Sequence, residues 1–388
     1  MHELSRRQFM ELSAAGVATL GAALPSAGAA ITKPASTSTM VFLQNDNLNL
    51  HPSEAAGEMA RLCASQNVAA DTYGLGGLVE DLEAYFARLL GKERALFMPT
   101  GTLANQLALR ALAGERRRVV VQEVSHVYND CGDASQILSG LTLLPVAPER
   151  ASFNWTDVER LLAKTASGRV TTEIGAISIE SPVRRLSGEL FERTEMDRIC
   201  SAARKRDIAT HLDGARLFIA SAYTGISPAD YAAPFDTVYI SLWKTFNSLN
   251  GAILAGPESL LKNMFHARRM FGGALFSAWP FALLARRYAE GYVDRLAAAI
   301  VVSNDFFEAL SGGKINVERV PSGTNVFRLI VPETLADPLR ERLLSRGVML
   351  PGYATTSRGA MFVLQVNDTW NRTTGRELAQ KFRQALVR

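Results

Sequence analysis

The chain reads as an α/β protein: a large domain on a largely parallel sheet, then a smaller α+β domain at the C-terminus. Three observations carry that reading. From about residue 75, strand-length apolar runs alternate with stretches of helical spacing, as strand–helix–strand units do. The last quarter changes character after a break at Gly312-Gly313. Finally, 388 residues, 47% of them hydrophobic, exceed what one core usually holds, so two domains are expected.

The opening segment stands apart. Ser5-Arg6-Arg7-Gln8-Phe9-Met10 precedes a modestly apolar stretch over 12–24, and Pro25 and Ala27-Gly28-Ala29 follow. A charged region, an apolar region and a small-residue site in that order describe a secretory signal. The arginine pair makes it resemble a twin-arginine export signal. The apolar run is too short and too broken by glycine to span a membrane. The expected division is a signal peptide over 1–29, an N-terminal arm over 30–70 that begins as a flexible Ser/Thr-rich lead-in, a large domain over 71–300 and a small domain over 301–388. A bacterial periplasmic location, reached through the twin-arginine translocon, is the matching expectation, with the membrane met only through the signal.

Within the large domain, Leu78, Leu82, Tyr85, Phe86 and Leu89 share one helical face, and Gly91 stops that helix. Ala95-Leu96-Phe97-Met98 is a short buried strand, followed by Pro99-Thr100-Gly101-Thr102 and a helix through Leu112. Further strands are expected over 118–122, 141–146, 173–179, 208–212 and 237–242, with helices such as 156–163 and 194–206 between them. A long helix over 280–310 leads into the small domain. There we expect strands over 325–331 and 360–366 and a helix over 335–346.

Composition excludes some function classes. Lys and Arg total 42 against 38 Asp and Glu, a net +4 with no basic run dense enough for nucleic acid. The densest cluster, Arg116-Arg117-Arg118, suits the solvent end of a helix-to-strand turn. Cys63, Cys131 and Cys200 have no metal-ligand spacing and read as three buried free thiols, so no metal site is expected.

In parallel α/β sheets, ligands bind beyond the carboxyl ends of the strands. The polar candidates fall there. Gly101 and Thr102 open a helix after the first strand, where glycine lets a backbone approach and the helix N-terminus favours an anion. This suits a phosphate cradle, although an ordinary N-cap has the same composition. His126 follows the strand over 118–122, where its ring can stack on a flat ligand or move a proton. Asp213 and Arg216 follow the strand over 208–212, and Lys244 ends that over 237–242. Together these are the groups a pyridoxal 5'-phosphate (PLP) site needs. The lysine amine can hold the aldehyde as a Schiff base. The aspartate can keep the pyridine nitrogen protonated. The arginine, fixed as a cation, can bond the phenolate oxygen.

Longer motifs surround these residues: Asp71-Thr72-Tyr73-Gly74 with Leu82-Glu83, Phe97-Met98-Pro99-Thr100-Gly101-Thr102-Leu103-Ala104-Asn105, Ser125-His126, His211-Leu212-Asp213-Gly214-Ala215-Arg216-Leu217-Phe218, and Lys244. From about Asp46 onward the chain resembles the threonine aldolase / aromatic amino acid β-eliminating lyase group of fold-type I PLP enzymes. The resemblance implies that group's fold, a mostly parallel, mixed seven-stranded sheet domain with a small C-terminal domain, and assembly as a homodimer or homotetramer. It implies that Gly101 and Thr102 bind phosphate, His126 stacks on the ring, Asp213 pairs with its nitrogen, Arg216 contacts its hydroxyl and Lys244 forms the Schiff base. Arg268 lies in a stretch from which a neighbouring subunit can reach the phosphate.

The sequence departs from the group's pattern in places. Val183 stands where the group carries the histidine that handles the substrate's β-hydroxyl. Thr245-Phe246-Asn247 replaces a Gly-rich turn. Asn45-Asp46-Asn47 replaces Ser-Asp-Thr, which leaves Asn45 as the contact to the substrate carboxylate. Arg358, with Arg184 second, is the candidate arginine fork for that carboxylate. The implied function is a PLP-dependent lyase of a small amino acid, either cleaving Cα–Cβ of a β-hydroxy amino acid to glycine and an aldehyde or β-eliminating. The alternatives are an exported PLP enzyme of another reaction type (transamination, decarboxylation or tailoring of a secreted metabolite) and a binding protein that kept the fold without turnover. Lys244 and His126 are the expected catalytic residues.

Overall fold

The structure, a computed structural model, describes residues 39–310 and 315–386. The signal expected over 1–29 lies outside the described residues. The chain divides into two compact units. The larger comprises residues 56–294 with 320–324, and the smaller takes the chain up to Ala55, 295–319 and 325–388.

The larger unit is built on seven strands: β1 (Arg94–Met98), β2 (Arg118–Gln122), β3 (Thr142–Val146), β4 (Ile174–Glu180), β5 (Ala209–Asp213), β6 (Thr237–Ser241) and β7 (Ala252–Gly256). Their order is β1-β7-β6-β5-β4-β2-β3. All pairings are parallel except those of β7, which runs antiparallel to both β1 and β6. This is the mixed seven-stranded α/β sheet the sequence called for. Strand β7 itself went unread, because Ala252-Ile253-Leu254-Ala255-Gly256 holds one β-branched residue and no aromatic one, so little marks it as a strand.

The helix Gly101–Ala113 lies across the sheet, with Leu103 to Leu109 all buried. Its close packing shows at Gly175 on β4, where a Cβ would sit 2.5 Å from the carbonyl oxygen of Ala113. Strand β1 is a sheet edge, and its outward-facing peptide groups are covered by charged side chains. Glu83 Oε1 accepts from Phe97 N at 2.7 Å, and Arg268 Nη1 donates to Phe97 O at 2.6 Å. Such cover protects an edge from pairing with another chain.

The single helix expected over 280–310 is two, Trp279–Ala289 and Tyr292–Leu310. Glu290 is extended and Gly291 takes a left-handed φ of 64°, which an apolar periodicity cannot reveal.

The smaller unit carries an antiparallel four-stranded sheet in the order Tyr353–Thr356, Gly359–Gln365, Val326–Val331, Asn316–Arg319. Phe306, Phe362, Phe382 and Trp370 are fully buried in it. The stretch read as one N-terminal arm over 30–70 is divided, since residues up to Ala55 group with this unit. Val41–Phe42 pairs in parallel with Val348–Met349. The Asn367 amide donates to the carbonyls of Phe42, Gln44 and Asn45, at 3.1, 3.1 and 2.9 Å. Cys200 is buried, Cys131 half-buried and Cys63 exposed, contrary to the expectation of three buried thiols, and all three are free.

Candidate active site

Side chains alternate across a strand, so residues two apart share a face. His211 and Asp213 therefore share one face of β5, and Thr237, Tyr239 and Ser241 share one face of β6. The helix Gly101–Ala113 packs over that side. Its Asn105 touches both strand residues of β5: Nδ2 donates to Asp213 Oδ2 at 2.7 Å, and Oδ1 meets His211 Nε2 at 2.9 Å. Asp213, at the carboxyl end of β5, is buried, and Oδ1 accepts from Ala215 N at 3.3 Å.

The start of the same helix faces Tyr239. A Cβ on Gly101 would lie 2.0 Å from the Tyr239 hydroxyl oxygen and 2.4 Å from Cζ, so only glycine fits. Thr100 caps the helix by accepting from Leu103 N at 3.2 Å, which leaves the first-turn N–H groups of Gly101 and Thr102 for an anion. Burial holds the Tyr239 phenol far above its ordinary range, so it stays a neutral O–H beside that cradle; Arg216 lies close enough for its charge to act on it. Ser241, at the end of β6, buries its hydroxyl beside the Tyr239 phenol. Lys244 follows in the one-turn helix Leu242–Thr245 and is buried. The turn after it uses Asn247 at φ 52°, a residue that tolerates the left-handed region. Phe246 packs edge-on against Phe218 at 5.0 Å.

His126 opens the one-turn helix His126–Asn129 rather than standing in a loop. Its N–H donates to Glu180 Oε2 at 2.5 Å, and its ring Nδ1 lies 3.5 Å from Cys131 Sγ. Burial lowers the imidazole below its ordinary value, against the pull of Asp213, so it is neutral at pH 7. Glu180, on β4 opposite Asp213, is fully enclosed. Its other oxygen accepts from Arg184 N at 2.8 Å. Burial, then the charge of Asp213, holds its carboxyl well above the usual carboxylate range. One side chain thus ties together the two turns that carry His126 and Arg184.

Gly101, Thr102, His126, Asp213, Arg216 and Lys244 gather at the carboxyl ends of β1, β2, β5 and β6. Arg184 stands at the margin of this group, its guanidinium paired with Asp130 at 2.5 Å, a carboxylate that Arg185 also binds at 2.8 Å. Val183 packs into an apolar cluster with Val124 and Ala151. Arg268 sits at the edge of β1, with Nη2 donating to Tyr73 O at 3.0 Å and Nε buried without a partner. Asn45 and Arg358 belong to the smaller unit. There Asn45 Nδ2 donates to Asn49 Oδ1 at 2.5 Å and Arg358 pairs with Glu318 at 2.5 Å.

Sequence reasoning assigned no role to Asn105, Glu180, His211 or Tyr239. A buried strand ending in an acid and a polar residue one turn inside an apolar helix are signals that could have found Glu180 and Asn105. The residues present suit PLP. The close-fitted Gly101 makes room for a phosphate, the Tyr239 hydroxyl beside it offers a donor, and Asp213 can accept from a ring N–H.

A family model described as beta-eliminating lyase matches residues 52–333. The aldolase vrtJ of Penicillium aethiopicum is 31% identical over 278 residues, 69% of this chain and 69% of that protein. The low-specificity L-threonine aldolase of Candida albicans is 30% identical over 207 residues, 53% of this chain and 54% of that protein. Against that relative and others like it, the chain spans about half their length. A solved structure from Listeria monocytogenes, provisionally assigned as an L-allo-threonine aldolase, superposes with a TM-score of 0.73 at 27% identity, covering 90% of this chain and 97% of that one.

Proposed function

The chain belongs to the beta-eliminating lyase family, and from that premise we propose that it is a PLP-dependent lyase of threonine aldolase type. Its reaction is cleavage of the Cα–Cβ bond of a small β-hydroxy amino acid to glycine and an aldehyde. The observation that carries this reading is the convergence of Lys244, Asp213, His126 and the Gly101-Thr102 cradle at adjacent strand ends. PLP, when bound, withdraws electrons from the α-carbon as its bond breaks.

The protein's own groups supply the rest. The Gly101 and Thr102 N–H groups and the Tyr239 hydroxyl hold the phosphate. Asp213, fixed by Asn105, holds the ring nitrogen. Lys244 would hold the aldehyde, and its amine is the group placed to move protons near the substrate α-carbon. Val183 has no proton-accepting group, so the proton leaving the β-hydroxyl goes to the His126 imidazole, which burial keeps neutral and so able to accept it. Arg184, at the margin of this group, is the arginine placed to orient the substrate carboxylate.

Purified protein supplied with PLP should show visible absorption that Lys244→Ala abolishes. It should release glycine from L-threonine, L-allo-threonine or phenylserine. A colourless wild type after added PLP refutes the cofactor reading, and a coloured enzyme that forms no glycine refutes the aldol reading alone.

Two further points complete the proposal. The chain is exported folded through the twin-arginine route, which suits an enzyme that takes up its cofactor in the cytoplasm. A periplasmic product that begins at Ala30, and its loss on joint Arg6→Lys and Arg7→Lys substitution, is the expected result by cell fractionation and N-terminal sequencing. The enzyme also works as a homodimer or homotetramer, a reading supported by the exposed Leu75, Met270 and Phe276 side chains on the larger unit.

A further inference from the structure

Four buried polar groups from three elements form one line behind the site: Thr237 on β6, His211 and Asp213 on β5, and Asn105 on the overlying helix. Thr237 and His211 are 0% exposed, Asn105 1% and Asp213 4%, so water cannot substitute for any partner. The line has only one consistent polarity. A carboxylate accepts, so Asn105 Nδ2 must donate to Asp213, at 2.7 Å. Asn105 Oδ1 is then an acceptor, and the His211 Nε2 that lies 2.9 Å from it must carry the proton. His211 Nδ1 is left bare and accepts from the Thr237 hydroxyl at 2.8 Å. Burial pushes this imidazole down to about 4, so it stays a single neutral tautomer at physiological pH.

The placement of Asn105 adds a second consequence. It lies one helical turn beyond Gly101 and Thr102, on the helix that begins with the phosphate cradle. A hydrogen bond from this residue to Asp213 ties the cradle to the carboxylate that meets the other end of the ring. We infer that His211 and Thr237 are positioning residues, which orient Asp213 through Asn105 and set its distance from the cradle. This inference rests on the PLP reading above.

The test has two independent arms. In apoprotein with 15N-labelled histidine, NMR should show His211 with its proton on Nε2, unchanged as pH falls to about 5. In PLP titrations followed by absorbance, Asn105→Leu and His211→Phe should each raise the Kd for PLP on the order of tenfold, as loss of a bond to a charged group does. Because they act in series, the double variant should lose little more than either single one. His211→Gln, whose amide can still offer an N–H to Asn105, should recover part of the affinity. Both single variants should also move the pH midpoint of the bound cofactor's visible band.

An Nδ1-protonated His211, or a folded His211→Phe with wild-type Kd and wild-type midpoint, overturns the inference. If His211→Phe does not fold, Thr237→Val, which removes only the last donor, carries the same comparison: a shifted midpoint supports the relay and an unshifted one overturns it. Wild-type protein that takes up no PLP refutes the cofactor reading instead. The histidine tautomer, measured without PLP, separates the two failures.

Discussion

At the scale of single residues, the site depends on atoms that have no room to move. Gly101 is the sharpest case, since any side chain there collides with Tyr239. Gly101→Ala should weaken PLP binding by at least tenfold and destabilise the fold by about 1–3 kcal/mol, the usual range for overpacking. Adding Tyr239→Leu should restore part of the stability, because it removes the atoms met at 2.0 and 2.4 Å. Chemical denaturation of the three variants checks this, and strictly additive losses would refute the contact. Glu180 works by a different means. Its two oxygens are taken by the N–H groups of His126 and Arg184. The turn that carries Val183 and Arg184 is thus pinned from behind to the turn that carries His126.

At the scale of elements, the edge strand β1 is the most informative. Glu83 and Arg268 hold the N–H and the carbonyl of Phe97, four residues before the phosphate cradle begins. Burial raises the Glu83 carboxyl from its ordinary 4.5 to about 7, against the lowering effect of its bond from Phe97 N–H. The folded state therefore binds this proton more tightly than the unfolded chain. The stability this gives is fully present below about pH 4.5 and is lost as pH rises through about 7. Glu83→Gln keeps an acceptor for Phe97 and removes the titration. Its urea midpoint should match wild type near pH 5 and exceed it near pH 8, by at most about 3 kcal/mol in stability. Equal midpoints at both pH values would show that Glu83 does not titrate in this range. The helix break at Gly291 belongs to the same scale: one left-handed residue ends a helix whose apolar pattern runs on without interruption.

At the scale of the whole molecule, the exposed side chains of Leu75, Met270 and Phe276 (60, 68 and 67% exposed) bear on assembly. Phe276 packs on Tyr73, whose ring also lies under Arg269, so these residues form a joined surface around the β1 edge. Phe276→Ser with Met270→Ser should lower the mass seen by light scattering from a multiple of the chain to a smaller species, without changing the circular dichroism. An unchanged assembly would place the interface elsewhere.

The sequence alone determined six of the seven strands, the helix after the cradle, and the order in which Gly101, Thr102, His126, Asp213, Arg216 and Lys244 occur, because each sits where a hydrophobic period stops. It could also place the acid, the arginine and the lysine at strand ends, since strand ends are a one-dimensional property. Only the tertiary structure decided what surrounds them. β7 has little to mark it as a strand, with one β-branched residue among small and flexible ones, and its neighbours alone hold it extended. The grouping of residues 41–46 with the smaller unit depends on Asn367, more than 300 residues away. The line from Thr237 to Asp213 joins positions 237, 211, 105 and 213, which come together only because β5 and β6 lie side by side under one helix. Local chemistry is written in neighbouring residues, whereas the polarity of a buried hydrogen-bond chain depends on partners that folding alone makes adjacent.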